Sequence, residues 1–276
     1  MSITRRAARL IITIVVGLIF FVPLLFPLYW IIASSFQNLS TIYATAPSLL
    51  PTHVYGPNYR TAFGSILPNI GVSLVISLSV VALSWLIGVP AAYALARRGG
   101  RLASLFILIM LVTQMIPGIS LSIALYAIFH QWGLLGSYTG LILADASGAI
   151  PFVVIVVRAF IVTLPAELFD AAAVDGAGAV RSFTRLGLPL AVPAIMTVGM
   201  FAFLNSWNDF VNAYTLNSGS GPQPLTLGLF KFVTQYTSND GAIFAAATLA
   251  AIPTAILLFI GQRWIRGGLR AGTLKG

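Results

Sequence analysis

The sequence predicts an all-α fold, a polytopic membrane bundle of six transmembrane helices that forms a single domain over residues 1–276. Of the 276 residues 58% are hydrophobic and 8% are charged, with a mean hydropathy of +0.96. A soluble domain of this length carries about 25% charged residues. The composition therefore indicates an integral membrane protein.

Six segments are apolar over about 20 residues, the length that crosses a bilayer as a helix. We place these spans at 10–32, 70–96, 102–129, 141–160, 190–214 and 242–264. The first exceeds the apolar core of a signal peptide, about 7–15 residues, so we expect it to be a retained span. The fourth has the weakest signal, because Asp145, Ser147, Gly148 and Pro151 interrupt its first half.

The basic residues predict the orientation of the bundle. With both termini on one side, that side collects every one of the 15 Lys and Arg residues except Arg60 and Lys231. Cytoplasmic loops are enriched in Lys and Arg, so we expect both termini in the cytoplasm and the loops at 33–69, 130–140 and 215–241 outside. The net charge of +9 then reflects membrane topology, and no nucleic-acid partner is expected.

Segment 164–189, between the fourth and fifth spans, is cytoplasmic in this orientation and holds three of the six acidic residues. Pro165 suits the first turn of a helix, where the N-terminal dipole favours the carboxylates that follow. Residues 171–179 are mostly Ala and Gly, a surface that another backbone can approach closely. Gly176 and Gly178 predict a break, giving a helix, a bend and a second short helix.

This segment is better suited to docking on a protein than to lying on lipid headgroups, which requires a broad apolar face opposite Lys and Arg. The expected docking residues are Glu167, Asp170, Ala171, Ala172, Asp175, Gly176, Ala177 and Pro189.

Residues for catalysis are missing from the sequence. It has no cysteine, no GxxxxGK[ST] phosphate loop, and two histidines, His53 and His130, without metal-ligand spacing. We therefore expect neither a metal nor another cofactor in this chain, and a function other than that of an enzyme.

A polar and aromatic cluster in the fifth span comprises Asn205, Trp207, Asn208 and Asp209, and Asp145 is a further acid within the fourth. Acids within spans are costly and mark candidate substrate pathways. An aromatic face with amide and carboxylate groups suits a polar substrate such as a sugar, but an interfacial aromatic belt with polar caps remains the alternative. In the last outer loop, Gly219, Gly221, Pro222 and Gln223 predict a flexible and then stiff tip that either reaches a partner or is a plain linker.

The spacing Asp170-Ala171-Ala172, Gly176, Leu186-Gly187-Leu188-Pro189 resembles the E-A-A-x3-G-x9-I-x-L-P motif of permease subunits in binding-protein-dependent ABC importers. Asp for Glu at 170 and Leu for Ile at 186 are the two departures. Segments 92–97, 207–210, 224–229 and 268–276 extend the likeness over most of the chain. They resemble carbohydrate-importer permeases, in particular the smaller membrane subunit of maltose-type systems.

The resemblance implies a heteromeric importer in the plasma membrane, the inner membrane, of a bacterium or archaeon. Its other members would be a second homologous permease, two ATPase subunits that bind ATP and Mg²⁺, and an extracytoplasmic sugar-binding protein. Segment 165–187 would be the coupling segment on the ATPases, loop 216–230 would probe the binding protein, and the cytoplasmic tail 268–276 would lie near the ATPases. The alternatives are a stand-alone secondary transporter or channel, with Asp145 and Asp209 as its acids, and a non-transporting membrane anchor.

Overall fold

The computed structural model describes residues 3–46, 48–51, 53–217, 219, 221–236 and 239–272, with side chains described between 12 and 262 in these ranges. Its regular structure is helical, and no strand occurs in these residues. The helices are α1 (Ile3–Ser35), α2 (Leu39–Ile42), α3 (Pro57–Arg98), α4 (Gly100–Thr113), α5 (Gly118–Gln131), α6 (Tyr138–Val162), α7 (Ala166–Val174), α8 (Ala179–Ser182), α9 (Leu188–Trp207), α10 (Val211–Leu216), α11 (Leu225–Gln235) and α12 (Asp240–Gly272). The prediction of an all-α membrane bundle is confirmed.

The third span, predicted over 102–129, is broken in its middle. Two helices, α4 and α5, replace it, and their axes are bent by 97° at a short break. Pro117 explains the break, because proline lacks the N–H of a helical hydrogen bond and disfavours helical geometry at the residue before it. Pro117 precedes α5 with a ψ of 131°, outside the helical region.

The bent pair nevertheless crosses the same layer as its neighbours. The hydroxyl of Tyr93, near the end of α3, donates to Ser182 Oγ at 3.0 Å, so α3 ends on the face where the chain emerges from α6. Helix α6 has 25 residues, a length of about 37 Å. Helices α4 and α5 must therefore carry the chain from this face to the opposite end of α6. By length and composition, five helices or helical runs of the described residues could each cross a membrane, and the α4–α5 pair brings the number of candidate crossings to six.

The fifth span was predicted as 190–214, and its bounds require correction. It starts earlier, because α8 runs through a π-helical turn, Phe183–Gly187, directly into α9. The second short helix expected in segment 164–189 is therefore the start of the long span. At the other end α9 stops at Trp207, and the Asp209 carboxylate accepts the Ala213 N–H at 3.1 Å at the start of α10.

The chain forms two compact units. One comprises Met1–Leu67 and Leu229–Ile252, and the other comprises Pro68–Gly228 and Pro253–Gly276. In the first unit, the buried Asn58 amide donates to the carbonyls of Ser35 at 3.0 Å and Gln37 at 2.8 Å. Tyr43 donates to the Asp240 carboxylate, and this hydrogen bond, with the negative charge of the acceptor, raises the pKa of Tyr43.

The second unit is held by apolar packing among α3, α6 and α9. Its fully buried residues include Ala92, Val153, Val157, Ala191 and Val198, which form one cluster. Small residues allow the close approach of these helices. At Gly187, for example, a Cβ would lie 2.6 Å from a ring carbon of Tyr93. This packing fixes the ends of α3, α6 and α9 on which the candidate sites are built.

Candidate functional site

A cavity of about 360 Å³ lies beside the bend between α4 and α5, within the second unit. The bend supplies Gln114 and Gly118, the middle of α6 supplies Asp145 and Phe152, and the end of α9 supplies Asn205. The cavity therefore lies where the α4–α5 break faces α6 and the end of α9. Its volume is within the range of small-molecule sites, about 300–1,000 Å³.

A hydrogen-bond network forms the inner wall of the cavity. The Ser206 hydroxyl donates to Asp145 Oδ2 at 2.7 Å, and the Asn212 amide donates to Asp145 Oδ1 at 2.9 Å. The Ser122 hydroxyl lies 2.6 Å from Asn212 Oδ1, as donor to it. The carboxylate of Asp145 thus joins α5, α6, α9 and α10, and both of its oxygens accept a bond, as a buried carboxylate requires.

The cavity mouth carries groups with spare hydrogen-bonding capacity. Gln114 donates through Nε2 to the carbonyl of Gly148 at 3.0 Å, which leaves its Oε1 as an acceptor. Asn205 is exposed, and its side chain makes no hydrogen bond to the part of the chain that the structure describes. Phe152 is half-buried and packs edge-on against Phe201, with ring centroids 5.9 Å apart. Amide groups and an aromatic surface therefore face the same space.

The structure brings together three of the five residues predicted for a substrate path. Asp145, Asn205 and Asp209 line the cavity. Trp207 does not, because it is 2% exposed and stacks on Phe203 with centroids 5.5 Å apart. Asn208 is exposed, also outside the lining, and its amide donates to the Leu204 carbonyl at 2.8 Å.

Several lining residues were missed by the sequence analysis. They are Gln114, Ser122, Phe152, Ser206 and Asn212. Polar residues inside the apolar segments 102–129 and 190–214 were the available signal for four of these. The aromatic face expected from Trp207 is supplied instead by Phe152, for which the sequence has no comparable signal.

The second candidate site is segment 165–187, where the inner face of α7 packs on the end of α3. Phe169 is buried, with its ring centroid 6.1 Å from that of Tyr93. The guanidinium carbon of Arg97 lies 4.5 Å above the Phe169 ring, and its NH2 lies 3.8 Å from Asp170 Oδ1. These contacts attach α7 to α3 and leave its outer face uncovered.

The outer face combines small, apolar and acidic side chains. Val174 and Val180 are 88% and 76% exposed. Of the predicted docking residues, Glu167, Asp170, Ala171, Asp175, Gly176 and Pro189 are exposed, and Ala172 and Ala177 are half-buried. The predicted break is confirmed, since α7 ends at Val174 and Gly176 has a φ of 78°. Such a φ favours glycine, although a Cβ there would meet no atom within 4 Å.

Hydrogen bonds hold both ends of the loop between α10 and α11. The Asn217 amide donates to the Pro222 carbonyl at 2.8 Å, and the Asn69 amide donates to the Gln223 carbonyl at 2.9 Å. Gly219 and Gly221 lie between these anchors, while residues 218 and 220 are outside the described part. In the predicted tail 268–276, residues 268–272 end α12, and 273–276 are outside the described residues.

The fold and these two sites are those of a multi-span membrane component of a transport complex. Residues 86–271 match the family described as binding-protein-dependent transport system inner membrane component, and the chain belongs to this family. It is therefore a multi-pass plasma-membrane protein and a non-catalytic component of an ABC importer. Among the described residues no group of three His, Cys, Asp or Glu side chains could hold a metal ion.

Relatives resemble the chain over nearly its whole length. It is 33% identical to the diacetylchitobiose uptake system permease protein DasC of Streptomyces coelicolor, over 95% of this chain and 96% of the relative. It is 32% identical to the trehalose transport system permease protein SugB of Mycobacterium tuberculosis, over 91% and 93%. It is 30% identical to the galactooligosaccharides transport system permease protein GanQ of Bacillus subtilis, over 99% and 98%.

Solved structures share the fold. A bacterial ABC transporter involved in the import of the acidic polysaccharide alginate contains a chain with a TM-score of 0.79 at 22% identity, covering 95% of this chain and 98% of that one. The methionine ABC transporter MetNI contains a chain with a TM-score of 0.58 at 19% identity, covering 75% and 97%. At these identities the likeness concerns the fold alone.

Proposed function

We propose that the chain is the permease subunit through which an ATP-driven importer takes up a sugar or sugar derivative delivered by an extracytoplasmic binding protein. The main support for this proposal is the similarity to sugar-uptake permeases, which are 30–33% identical to this chain over at least 91% of its length. The substrates in the names of these relatives, diacetylchitobiose, trehalose and galactooligosaccharides, are all carbohydrates. The polar cavity supports the proposal, because amide, carboxylate and aromatic groups are suited to a polyhydroxylated solute.

The complex we propose contains a second homologous permease, two ATPase subunits with ATP and Mg²⁺, and the binding protein. Segment 165–187 docks on an ATPase subunit through its exposed outer face. With 13 of the 15 Lys and Arg residues assigned to one side, the positive-inside rule favours placing this segment and both termini in the cytoplasm. The tail 268–276 lies near the ATPases, and the α10–α11 loop, with Gly219, Gly221, Pro222 and Gln223, contacts the binding protein.

Two rigid connections transmit ATPase movement to the solute path. Tyr93 and Arg97 hold α7 against α3. The π-helical turn joins α8 to α9, whose 20 residues extend about 30 Å and end at Asn205 and Ser206 in the cavity. Displacement of segment 165–187 therefore moves the cavity wall. The bundle switches between inward-facing and outward-facing arrangements as closely packed helices shift together.

The docking surface is tested by Ala171→Leu in the complete transporter. Position 171 is exposed on helical α7, so leucine adds bulk without backbone strain. We expect co-purification of the ATPase subunits and sugar-stimulated ATP hydrolysis to fall at least tenfold. Ala46→Leu is the matched control, since Ala46 is exposed and far along the chain in the predicted outer loop. Normal co-purification and transport in Ala171→Leu would contradict the docking assignment.

Sugar uptake is tested in cells that lack the gene for this chain. Labelled diacetylchitobiose, trehalose and a galactooligosaccharide are supplied separately, with and without the restored gene. We expect restored uptake of a carbohydrate that also requires the ATPase gene. Uptake that persists without the ATPase would favour the stand-alone transporter or channel, and ATPase binding without uptake of any carbohydrate would favour the membrane anchor.

A further inference from the structure

We infer that the cavity beside the α4–α5 bend is a subsite of this chain for neutral saccharides, and that it excludes anionic ones. The inference rests on the proposed sugar uptake and concerns which sugars the permease itself admits. The alginate importer shows that the same fold occurs in a transporter for an acidic polysaccharide. A preference for charge therefore does not follow from the fold, and the cavity lining is the place in this chain where it can arise.

The cavity lining carries acids without a basic partner. Asp145 and Asp209 line it, and no Lys, Arg or His does so among the described residues. Arg158, on the same helix as Asp145, is 13 positions away, about 20 Å along the axis, too far to pair with a solute in the cavity. An anionic sugar entering the cavity would meet two carboxyl groups and no cation with which to pair.

Helix termini reduce this negative charge without cancelling it. The N-terminus of α5 lies at the cavity through Gly118, and a helix N-terminus is equivalent to about half a positive charge. The Asp209 carboxylate accepts the Ala213 N–H, so part of its charge is used to start α10. The Asp145 carboxylate is bound only by neutral donors, Ser206 and Asn212. The lining as a whole remains unfavourable to an anion.

The same lining offers a neutral sugar complementary groups. Gln114 Oε1 accepts a hydrogen bond from a hydroxyl group, and the Asn205 amide both donates and accepts. The exposed part of the Phe152 ring provides an apolar surface for the C–H face of a pyranose. Each carboxylate oxygen of Asp145 accepts one bond from the protein and keeps further acceptor capacity. These groups recognise hydroxyls and require no charge on the solute.

The test uses the absence of cysteine from the chain. Asn205→Cys places a single thiol in the cavity, and the complete transporter is assembled in membranes with cysteine-free partner subunits. Three methanethiosulfonate reagents are compared: a neutral glucosyl, a cationic trimethylammonium-ethyl and an anionic sulfonatoethyl reagent. Their rates are divided by those at Leu50→Cys, a position 70% exposed in a loop whose residues 33–56 include no acid.

After this normalisation we expect the glucosyl reagent to label Cys at position 205 readily. We expect the anionic reagent to react at least tenfold more slowly than the cationic one, because the described lining offers it acidic groups and no cation with which to pair. Equal normalised rates for the anionic and neutral reagents would overturn the inference. Failure of the glucosyl reagent to label position 205, with and without ATP, would also overturn it, since the cavity would then not admit a sugar.

A second variant separates charge from shape. Gln114→Lys, added to Asn205→Cys, introduces a cation at an exposed position of the mouth and leaves the Asp145 network in place. The anionic rate should rise at least threefold, and an unchanged rate would show that lining charge does not control access. If the ATPase subunits still co-purify but the anionic and cationic reagents react at equal rates, this inference is wrong and the proposed function stands. Lost co-purification in the unmodified chain would instead contradict the proposed function.

Discussion

The cavity and segment 165–187 are connected by α9 but differ in how many contacts their side chains make within the chain. The cavity wall is a polar network in which Asp145 accepts bonds from Ser206 and Asn212, residues of other helices. The outer face of segment 165–187 makes few internal contacts and is defined by small side chains and a glycine turn. Substitution in the first should damage the solute path from within, and substitution in the second should affect assembly with a partner.

The largest effect is expected for Asp145→Ala. It removes the acceptor of two hydrogen bonds and leaves the Ser206 and Asn212 donors unpaired in a partly buried site. A buried donor left without its partner costs about 1–3 kcal/mol. We expect transport to fall more than tenfold and thermal stability to decrease, while ATPase co-purification is retained. Radiolabelled uptake and co-purification from the same membranes measure the two properties.

Asn208→Ala is the control for that change. Asn208 is also near the end of α9, but it is exposed and outside the cavity lining. Transport by this variant should stay within about twofold of the parent, since loss of one exposed hydrogen bond costs about 1 kcal/mol or less. An equal loss of transport in the two variants would remove the distinction between lining and neighbouring residues.

An intermediate effect is expected for Arg97→Ala, which tests whether α7 must be held against α3. The change removes the cation–π contact with Phe169, about 0.5–1 kcal/mol, and a solvent-exposed ion pair with Asp170 that contributes less than about 1 kcal/mol. We expect ATPase subunits to remain bound, with fewer sugar molecules transported per ATP hydrolysed, by about two- to fivefold. The ratio is measured in proteoliposomes.

Arg98→Ala is the matched control, because it removes the same charge at the next position, where no contact with segment 165–187 is recorded among the described side chains. A transport-to-hydrolysis ratio that falls equally in both variants would indicate a general effect of charge at the end of α3. A ratio unchanged in Arg97→Ala would show that the α3–α7 contact is dispensable for coupling.

The smallest effect is expected for Gly176→Ala. The φ of 78° is strained for alanine by about 1–2 kcal/mol, but a Cβ meets no atom of this chain. We expect a slight loss of thermal stability with no more than a twofold change in ATPase affinity. Gly176→Asn, which tolerates this backbone geometry better, should be closer to the parent. A larger loss in Gly176→Asn than in Gly176→Ala would mean that side-chain bulk at the partner, and not backbone strain, is decisive.

The same contrast explains how much the sequence could predict. Segment 165–187 is contiguous, so Pro165, its small residues and Gly176 specify a local helix, break and turn through backbone preferences alone. The cavity gathers residues from five helices, and which polar side chains meet depends on helix rotation and packing. Asp145, Asn205 and Asp209 were predicted from the sequence as residues of a substrate path. That they line one cavity with Gln114, Ser122 and Asn212 is visible only in the three-dimensional fold.

Span boundaries were predicted wrongly where the proline ring of Pro117 or a hydrogen bond to Asp209 ends a helix within an apolar stretch of sequence. Hydropathy averages over Pro117 and therefore predicts one span over 102–129, although the ring ends a helix within it. Hydropathy also continues past Asp209, whose carboxylate starts α10. In both places the chain remains apolar although the helix ends.

The π-helical turn Phe183–Gly187 determines the directions in which the side chains of α9 point. A π turn contains one residue more than the α-helical turn it replaces, and each residue of an α-helix advances the side-chain direction by about 100°. If the same residues were wound as an α-helix without this wider turn, every later side chain of α9 would be rotated by about that angle. Asn205 and Ser206 would then face away from Asp145, so the length of this turn specifies which side of a distant helix meets the solute.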